Sequence, residues 1–258
     1  MTPTSLSPNC LSDEFWSKVA IIIPAYNEQA LIQKTLQGLP QQVGAIFVID
    51  DASSDRTKER TLELGLNRLS LIEQQENQGV GAAILRGYRE ALKKEFEWLV
   101  VMAGDNQMNP HDLPTLLTAG SEKQPFYIKG NRLIHSDFRR MPRHRRWGSR
   151  FLARLTGLFA QIKIDDAQCG YTALNRRAAL LLDWERTWKG YGYPNDLLIQ
   201  LAARGCHIKE CAVQPIYENE VSGLRLHHFA MIIWVIFRRF FLEKLRKTQI
   251  RLTYSTSR

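Results

Sequence analysis

Four cysteines in 258 residues, Cys10, Cys169, Cys206 and Cys211, are too few and too irregularly spaced for a disulfide framework, and no CxxC pair offers a zinc site. A reducing, cytoplasmic setting is therefore expected. Long apolar runs are also missing: the longest, FAMIIWVIF at 229–237, falls well short of the roughly 18 residues that cross a bilayer. The opening MTPTSLSPNCLSDEFW has neither a basic start nor an apolar stretch behind it. Residues 1–17 thus read as a loose polar leader, not a secretion signal. Internal repeats, low-complexity tracts and linker-like stretches are absent, and 44% hydrophobic with 24% charged residues excludes a disordered chain.

Acidic residues are missing from one stretch in particular. Between 139 and 150 the chain carries Arg139, Arg140, Arg143, Arg145, Arg146 and Arg150 with no carboxylate among them, and a second basic group follows at Arg238, Arg239, Lys244, Arg246 and Lys247. Such clusters attract phosphate, whether on nucleotides, lipids or nucleic acid, although any one arginine is equally well a solvated loop residue. The run at 229–237 lies between His227, His228 and the Arg238, Arg239 pair, then continues FFLEKLRK. It reads either as an amphipathic helix lying in a membrane interface or as a helix docked on the protein's own core. These features set residues 226–258 apart as a basic helical appendage to a main domain at 18–225.

What is present is an alternation of elements. VAIII (19–23), AIFVI (45–49) and WLVVM (98–102) are continuous apolar runs, as strands buried on both faces of a parallel sheet require. Between them Leu31, Ile32, Thr35, Leu36 and Leu39 recur at helical spacing, as do Ile84, Leu85, Tyr88 and Leu92. The pattern predicts an α/β fold with a doubly wound, mostly parallel sheet and a C-terminal amphipathic helix, with ligands beyond the carboxyl ends of the strands. Further on, Asn109-Pro110 reads as a helix cap followed by proline, and FYIKG (126–130) as a strand. WGSRFLARLTGLFAQ reads as a helix with Phe151, Leu152, Leu155, Leu158 and Phe159 on one face. NDLLIQLAARG (195–205) reads as a helix and HIKECAV (207–213) as a late strand.

Three strand ends carry the chemistry. PAYNE (24–28) places a proline expected to stop the ladder, then an aromatic ring able to stack on a base and polar groups able to reach its edge. IDDASSDRT (49–57) ends in two carboxylates, of which Asp51 is the better placed to accept from a base or ribose, with Ser53, Ser54 or Asp55 left to cap the next helix. MAGDNQMNP (102–110) sets Asp105 after Gly104, with Gln107 two residues on. That sparse oxygen set suits Mg2+ or Mn2+ if a diphosphate completes the shell, and would otherwise be a simple turn.

In this order and at these intervals the three strand ends resemble those of the inverting family 2 glycosyltransferases of GT-A fold, nearest in flavour to the dolichol-phosphate mannose synthases and dolichyl-phosphate glucosyltransferases. The likeness continues through NQGVGAAILRG (77–87), KGNR (129–132), DAQCGY (166–171), YGYPNDLL (191–198) and IYENEVSG (216–223), so it spans roughly residues 19–225. It implies that Pro24, Tyr26, Glu28, Asp51 and Gly104 hold the nucleoside of a UDP- or GDP-sugar, and that Asp105 and Gln107 hold the metal. Arg132, Arg145 and Arg146 would lie near the donor diphosphate or the acceptor phosphate. Ala103 departs from the family pattern, which usually has an acid there. For a hydroxyl acceptor the first candidate base is Asp166 and the second Asp196, which with Asn195 is alternatively a helix cap. A polyprenyl phosphate acceptor is already anionic and needs cations instead. The resemblance thus implies sugar transfer to polyprenyl phosphate by a peripheral protein at the cytoplasmic face of a membrane, with transfer to a saccharide hydroxyl, or nucleotide-sugar binding alone, as alternatives.

Other classes fit less well. Gly79-Val80-Gly81 is part of a dinucleotide fingerprint, but Ile84 stands at the third glycine and polar EQQENQ precedes it. Nucleic acid is not an expected partner, because acidic strand ends repel phosphate unless a metal intervenes.

Overall fold

The computed structural model describes residues 11–135, 138, 143–216 and 226–256. In chain order the elements are α1 (Asp13–Ser17), β1 (Val19–Ala25), α2 (Ile32–Gln37), β2 (Ala45–Asp50), α3 (Thr57–Leu62), β3 (Leu69–Glu73), α4 (Val80–Lys93) and β4 (Trp98–Val101). They continue with α5 (Leu113–Thr118), β5 (Phe126–Asn131), α6 (Arg143–Ala160), β6 (Thr172–Asn175), α7 (Arg176–Ala179), α8 (Tyr193–Ala203), β7 (His207–Ala212) and α9 (Leu226–Thr256). The strands form one sheet ordered β3-β2-β1-β4-β6-β5-β7.

β1, β2 and β4 are buried along their whole length, which explains their unbroken apolar sequences. Side chains alternate between two layers. Ala20 and Ile22 face a core built with Ala83, Ile84 and Tyr88 of α4 and Leu197, Leu198 and Leu201 of α8. Val19, Ile21 and Ile23 face the opposite core, closed by Trp16 of α1, Ile32 and Leu36 of α2, and Leu113, Leu116 and Leu117 of α5. Gly87 lets α4 press against β1, since a Cβ there would come within 2.3 Å of Ile22.

Pairing directions decide where loops gather. β1 runs parallel to β2 and β4, and β2 to β3; β6 runs antiparallel to both β4 and β5, and β5 runs parallel to β7. The carboxyl ends of β1, β2, β4, β5 and β7 and the beginning of β6 therefore open on one edge. The chain reverses its winding between β1 and β4, the place where open α/β sheets bind ligands.

Several expectations need correction. The supposed leader is folded from residue 13: Ser12 caps α1, and Trp16 is buried at 1% exposure. Pro24 does not stop the ladder but pairs in register with Ile49. Its missing N–H costs nothing, because β4 has already ended opposite Ile22. β3 and β6 carry too weak a pattern to be singled out in sequence. Asp196 and Asn195 do not cap α8; Gly192, in the left-handed region at φ +94°, does. On α6, Leu152 is buried, but Phe151 and Leu158 are exposed.

α9 lies beside α6, with Phe159 packed edge-on to Phe237 and Phe240, and against α8 through a small cluster of Leu152, Ile199, Ile232 and Ile236. It is docked on the protein yet is not apolar inside and polar outside. Trp234, Phe237, Phe241 and Leu245 are exposed on the face opposite Ile232, Val235 and Ile236. No helix among the described residues is long and apolar enough to cross a membrane.

Candidate active site

The loops after β1 and β2 are laced together. Asn27 N–H donates to Ser53 Oγ at 2.9 Å, Glu28 N–H to Thr57 Oγ1 at 2.7 Å and Gln29 N–H to Asp55 Oδ2 at 3.2 Å, while Asn27 Oδ1 accepts from Ser54 N–H at 2.9 Å. Asp55 Oδ1 also accepts from the Thr57 amide in a turn just ahead of α3; the cap position itself is Arg56, so none of Ser53, Ser54 and Asp55 caps the helix as expected. Asp50 accepts from the Ser53 amide and hydroxyl. These bonds fix the strand ends and leave Tyr26 48% exposed.

Asp51 is nearly buried, and its carboxylate is engaged by the chain itself. It accepts from Gln74 Nε2 at 2.5 Å and from the amides of Gln78 and Gly79 at 2.8 Å each. Sequence reasoning assigns Asp51 to a ligand; the structure adds that it first orders the turn leading into α4. The glycines of that turn, read in sequence as part of a fingerprint, have a packing reason. A Cβ on Gly81 would stand 2.7 Å from Lys189 O and 2.8 Å from Trp188 O.

Asp51 and Asp105 flank the same strand end. Asp51 N–H donates to Ala25 O at 2.9 Å, and Gly104 N–H donates to Pro24 O at 3.3 Å on the other side of β1. A Cβ on Gly104 would meet Ile32, Glu28 and Ala25 at 3.3 to 3.5 Å, so Glu28 also reaches this corner. Asn27, Ala52 and Asn106, one at each of the three strand ends, hold φ near +57°, +60° and +56°. Left-handed backbone at non-glycine residues is costly and concentrates where loops must be aimed.

Asp105, Gln107 and Arg132 line one cleft with Tyr171, Gln214 and Ile216. The Gln107 amide donates to Asp105 Oδ1 at 3.1 Å, and its carbonyl accepts from Ile216 N–H at 3.1 Å, so the segment after β7 braces the turn. Two half-buried oxygen-bearing side chains fit a hard divalent cation that draws its remaining ligands from phosphate and water. Among the described residues no cluster of three or more His, Cys, Asp or Glu side chains could hold a metal without such help.

Arg132 emerges from the end of β5 and is gripped by Asp166, with Nε to Oδ2 at 2.8 Å and one Nη to Oδ1 at 3.0 Å. Asp166 is fully buried; its Oδ1 also accepts from the amides of Gln168 and Cys169. Burial pushes its carboxyl up, but the charge and hydrogen bonds of Arg132 and the charge of Lys129 outweigh this and hold it below the ordinary carboxylate value. Glu210 of β7, which sequence reasoning passed over, accepts from the amides of Asp165 and Asp166 at 2.9 Å each and secures this loop. Burial raises the Glu210 carboxyl.

Asp196 lies apart from this assembly. It is fully buried in α8 and forked by Arg239 of α9, with 2.9 and 2.8 Å contacts, and burial lifts its carboxyl above the ordinary value despite Arg239. Arg146 lies 5.6 Å from the centre of the Phe138 ring. The side chains of Arg139, Arg140 and Arg145 and the stretch 217–225, with most of IYENEVSG, fall outside the described residues.

The sequence profile of Glycosyl transferase family 2 matches residues 20–181. The chain belongs to that family. The UDP-N-acetylglucosamine–dolichyl-phosphate N-acetylglucosaminyltransferase of Methanococcus voltae is 26% identical, over 89% of this chain and 97% of its own length. Undecaprenyl-phosphate mannosyltransferase of Micrococcus luteus is also 26% identical, over 80% of this chain and 88% of its own. Glucosyl-3-phosphoglycerate synthase of Mycobacterium tuberculosis, solved with UDP, superposes with a TM-score of 0.66 at 19% identity, over 92% of this chain and 86% of that one. That likeness shows a shared fold, in keeping with the GT-A architecture read from the strand ends.

Proposed function

We propose that this family 2 glycosyltransferase moves a sugar from a nucleotide-sugar donor to a polyprenyl phosphate. The observation that carries the choice of acceptor is the state of the two candidate bases: Asp166 and Asp196 are both fully buried and both committed to an arginine. A hydroxyl acceptor needs a base within reach of its proton. An anionic phosphate needs none, and the cleft offers it the Arg132 guanidinium instead. The dolichyl- and undecaprenyl-phosphate activities named for the two relatives agree with this reading.

In the proposed arrangement Tyr26 and Glu28 border the nucleoside, with the Asp51-ordered turn as the opposite wall. Asp105 and Gln107 would hold a divalent cation, Mg2+ or Mn2+, which when bound offsets the charge of the departing diphosphate; the M. tuberculosis synthase was solved with Mn2+ and UDP together. Arg132 points into the same cleft as Asp105, where charge builds during displacement. Asp166 keeps that guanidinium aimed. Ala103 removes one acid from the cation site, so more of the coordination falls to phosphate.

α6 and α9 support a peripheral position on an anionic bilayer. Trp147, Phe151 and Leu158 on α6 and Trp234, Phe241 and Leu245 on α9 are exposed, and Phe151 stacks on Phe229 across the seam. α6 has no acidic residue, and α9 has only Glu243, which is buried. Aromatic anchors among arginines suit an anionic interface.

The test is a panel of UDP- and GDP-sugars with Mg2+ or Mn2+, offered to the purified protein with polyprenyl phosphate or with saccharide acceptors. Transfer to the polyprenyl phosphate is expected, falling at least about 100-fold in Asp105→Ala. Wild-type turnover by that variant, or faster transfer to saccharides, would overturn the assignment.

A further inference from the structure

Segment 186–191 is held between α9 and the entrance to α4. From the α9 side, Arg238 and Arg239 donate to Arg186 O, the Trp188 ring meets Trp234 at 5.4 Å, and Tyr191 stacks on His228 at 3.8 Å. The buried carboxylate of Asp196, forked by Arg239, accepts the Trp188 amide at 3.1 Å. From the other side, Gly81 N–H donates to Lys189 O at 2.7 Å, and that oxygen stands only 2.9 Å from where a Gly79 side chain would begin. Gly79 and Gln78 in turn bind the Asp51 carboxylate. A path of short contacts thus joins Arg239 to Asp51.

A buried ion pair is a poor source of net stability, because well-packed apolar residues in its place are often as good. What this pair supplies is placement: the Arg239 fork sets the Trp188 amide, and the neighbouring Lys189 carbonyl sets the Gly79–Gly81 turn. We propose that Arg239, through Asp196, is a positioning residue for the donor pocket, so that the seating of α9 and the binding of the donor nucleotide favour one another. The idea rests on the reading above that the Asp51 turn walls the nucleoside site. Because coupling is reciprocal, nucleotide binding also tightens the hold of α9 on segment 186–191.

UDP and GDP, each with Mn2+, serve as probes by calorimetry on the full chain. For the double variant Asp196→Asn/Arg239→Met, which leaves no lone buried charge, the nucleotide that wild type binds should bind about tenfold more weakly. The donor KM should rise with little change in kcat, and amide exchange at Gly79 and Gly81 should quicken while β1 and β2 stay protected. Arg239→Lys, which keeps the charge, should recover part of the affinity. Should the double variant not fold, Tyr191→Ala and Trp234→Ala weaken the same grip from exposed positions and should weaken nucleotide binding in the same direction. Affinity within about twofold of wild type with unaltered exchange at Gly79 and Gly81, even alongside a lower melting temperature, would make the pair merely structural and sink the coupling. Wild type binding neither nucleotide would sink the donor reading itself, and the coupling with it.

Discussion

As pH falls through the folded-state titration of Asp166, which lies below the ordinary carboxylate value, the Arg132–Asp166 pair should come apart. The folded-state carboxyl lies below its unfolded value. Its contribution to stability is therefore present above the unfolded value, near 4, and is lost as pH falls through the folded one. Asp166→Asn should cost about 3 kcal/mol at neutral pH, the low end for a buried pair because the Arg132 side chain keeps 20% exposure. The deficit should begin to shrink once pH falls below the unfolded carboxylate value, near 4, where the linkage stabilisation of wild type starts to be lost; urea denaturation at pH 7 and pH 3.5 would measure it. A constant deficit at both values would mean that Asp166 does not titrate in this window. The residue types at the strand ends were legible in the sequence, since an apolar run that breaks into polar residues and carboxylates marks where a buried parallel strand ends. Their partners were not: no periodicity links Asp166 to Glu210, or Asp51 to the amides of Gln78 and Gly79, because such bonds depend on how the chain returns.

At the scale of elements, α6 and α9 argue for contact with lipid through their outer faces, and substitution there need not disturb the fold. Leu158→Glu, Phe241→Glu and Leu245→Glu together should reduce binding to anionic vesicles at least tenfold, since each buried apolar side chain is worth about 1.5–3 kcal/mol. Binding by wild type should also weaken as salt is raised. Flotation or sedimentation with phosphatidylglycerol vesicles would decide it, and unchanged partitioning would remove the membrane face. Deleting α9 would be a poorer test, because Arg239 and its neighbours hold segment 186–191 in place. The sequence allowed α9 either a membrane interface or the protein's own core, and its apolar residues proved to lie on both faces. Helical spacing on α6 grouped Leu158 with Leu152, but a helix packed along one edge only leaves part of such a stripe in solvent.

For the whole molecule, two apolar layers either side of the sheet provide the cohesion, and α1 closes one end of the second. Trp16→Ala should lower stability by about 3–5 kcal/mol in urea unfolding, the range for emptying a buried aromatic site, whereas a loose leader would yield a change near zero. Trp16 does not stand out in the sequence, because an apolar pair in a short helix creates no pattern. The parallel half of the sheet was readable from three apolar runs. The antiparallel β6, four residues long, was not, yet its reversal brings the loop of Asp166 to the same edge as Asp105.

The backbone at Asn27, Ala52 and Asn106 has a bearing on any effort to engineer a hardier version of this enzyme. Glycine at these positions would relieve the local strain, and a screen for heat resistance could select it. Gains made there would loosen the very corners that aim Tyr26, Asp51 and Asp105, so improvement is better sought in the helices on the far side of the sheet.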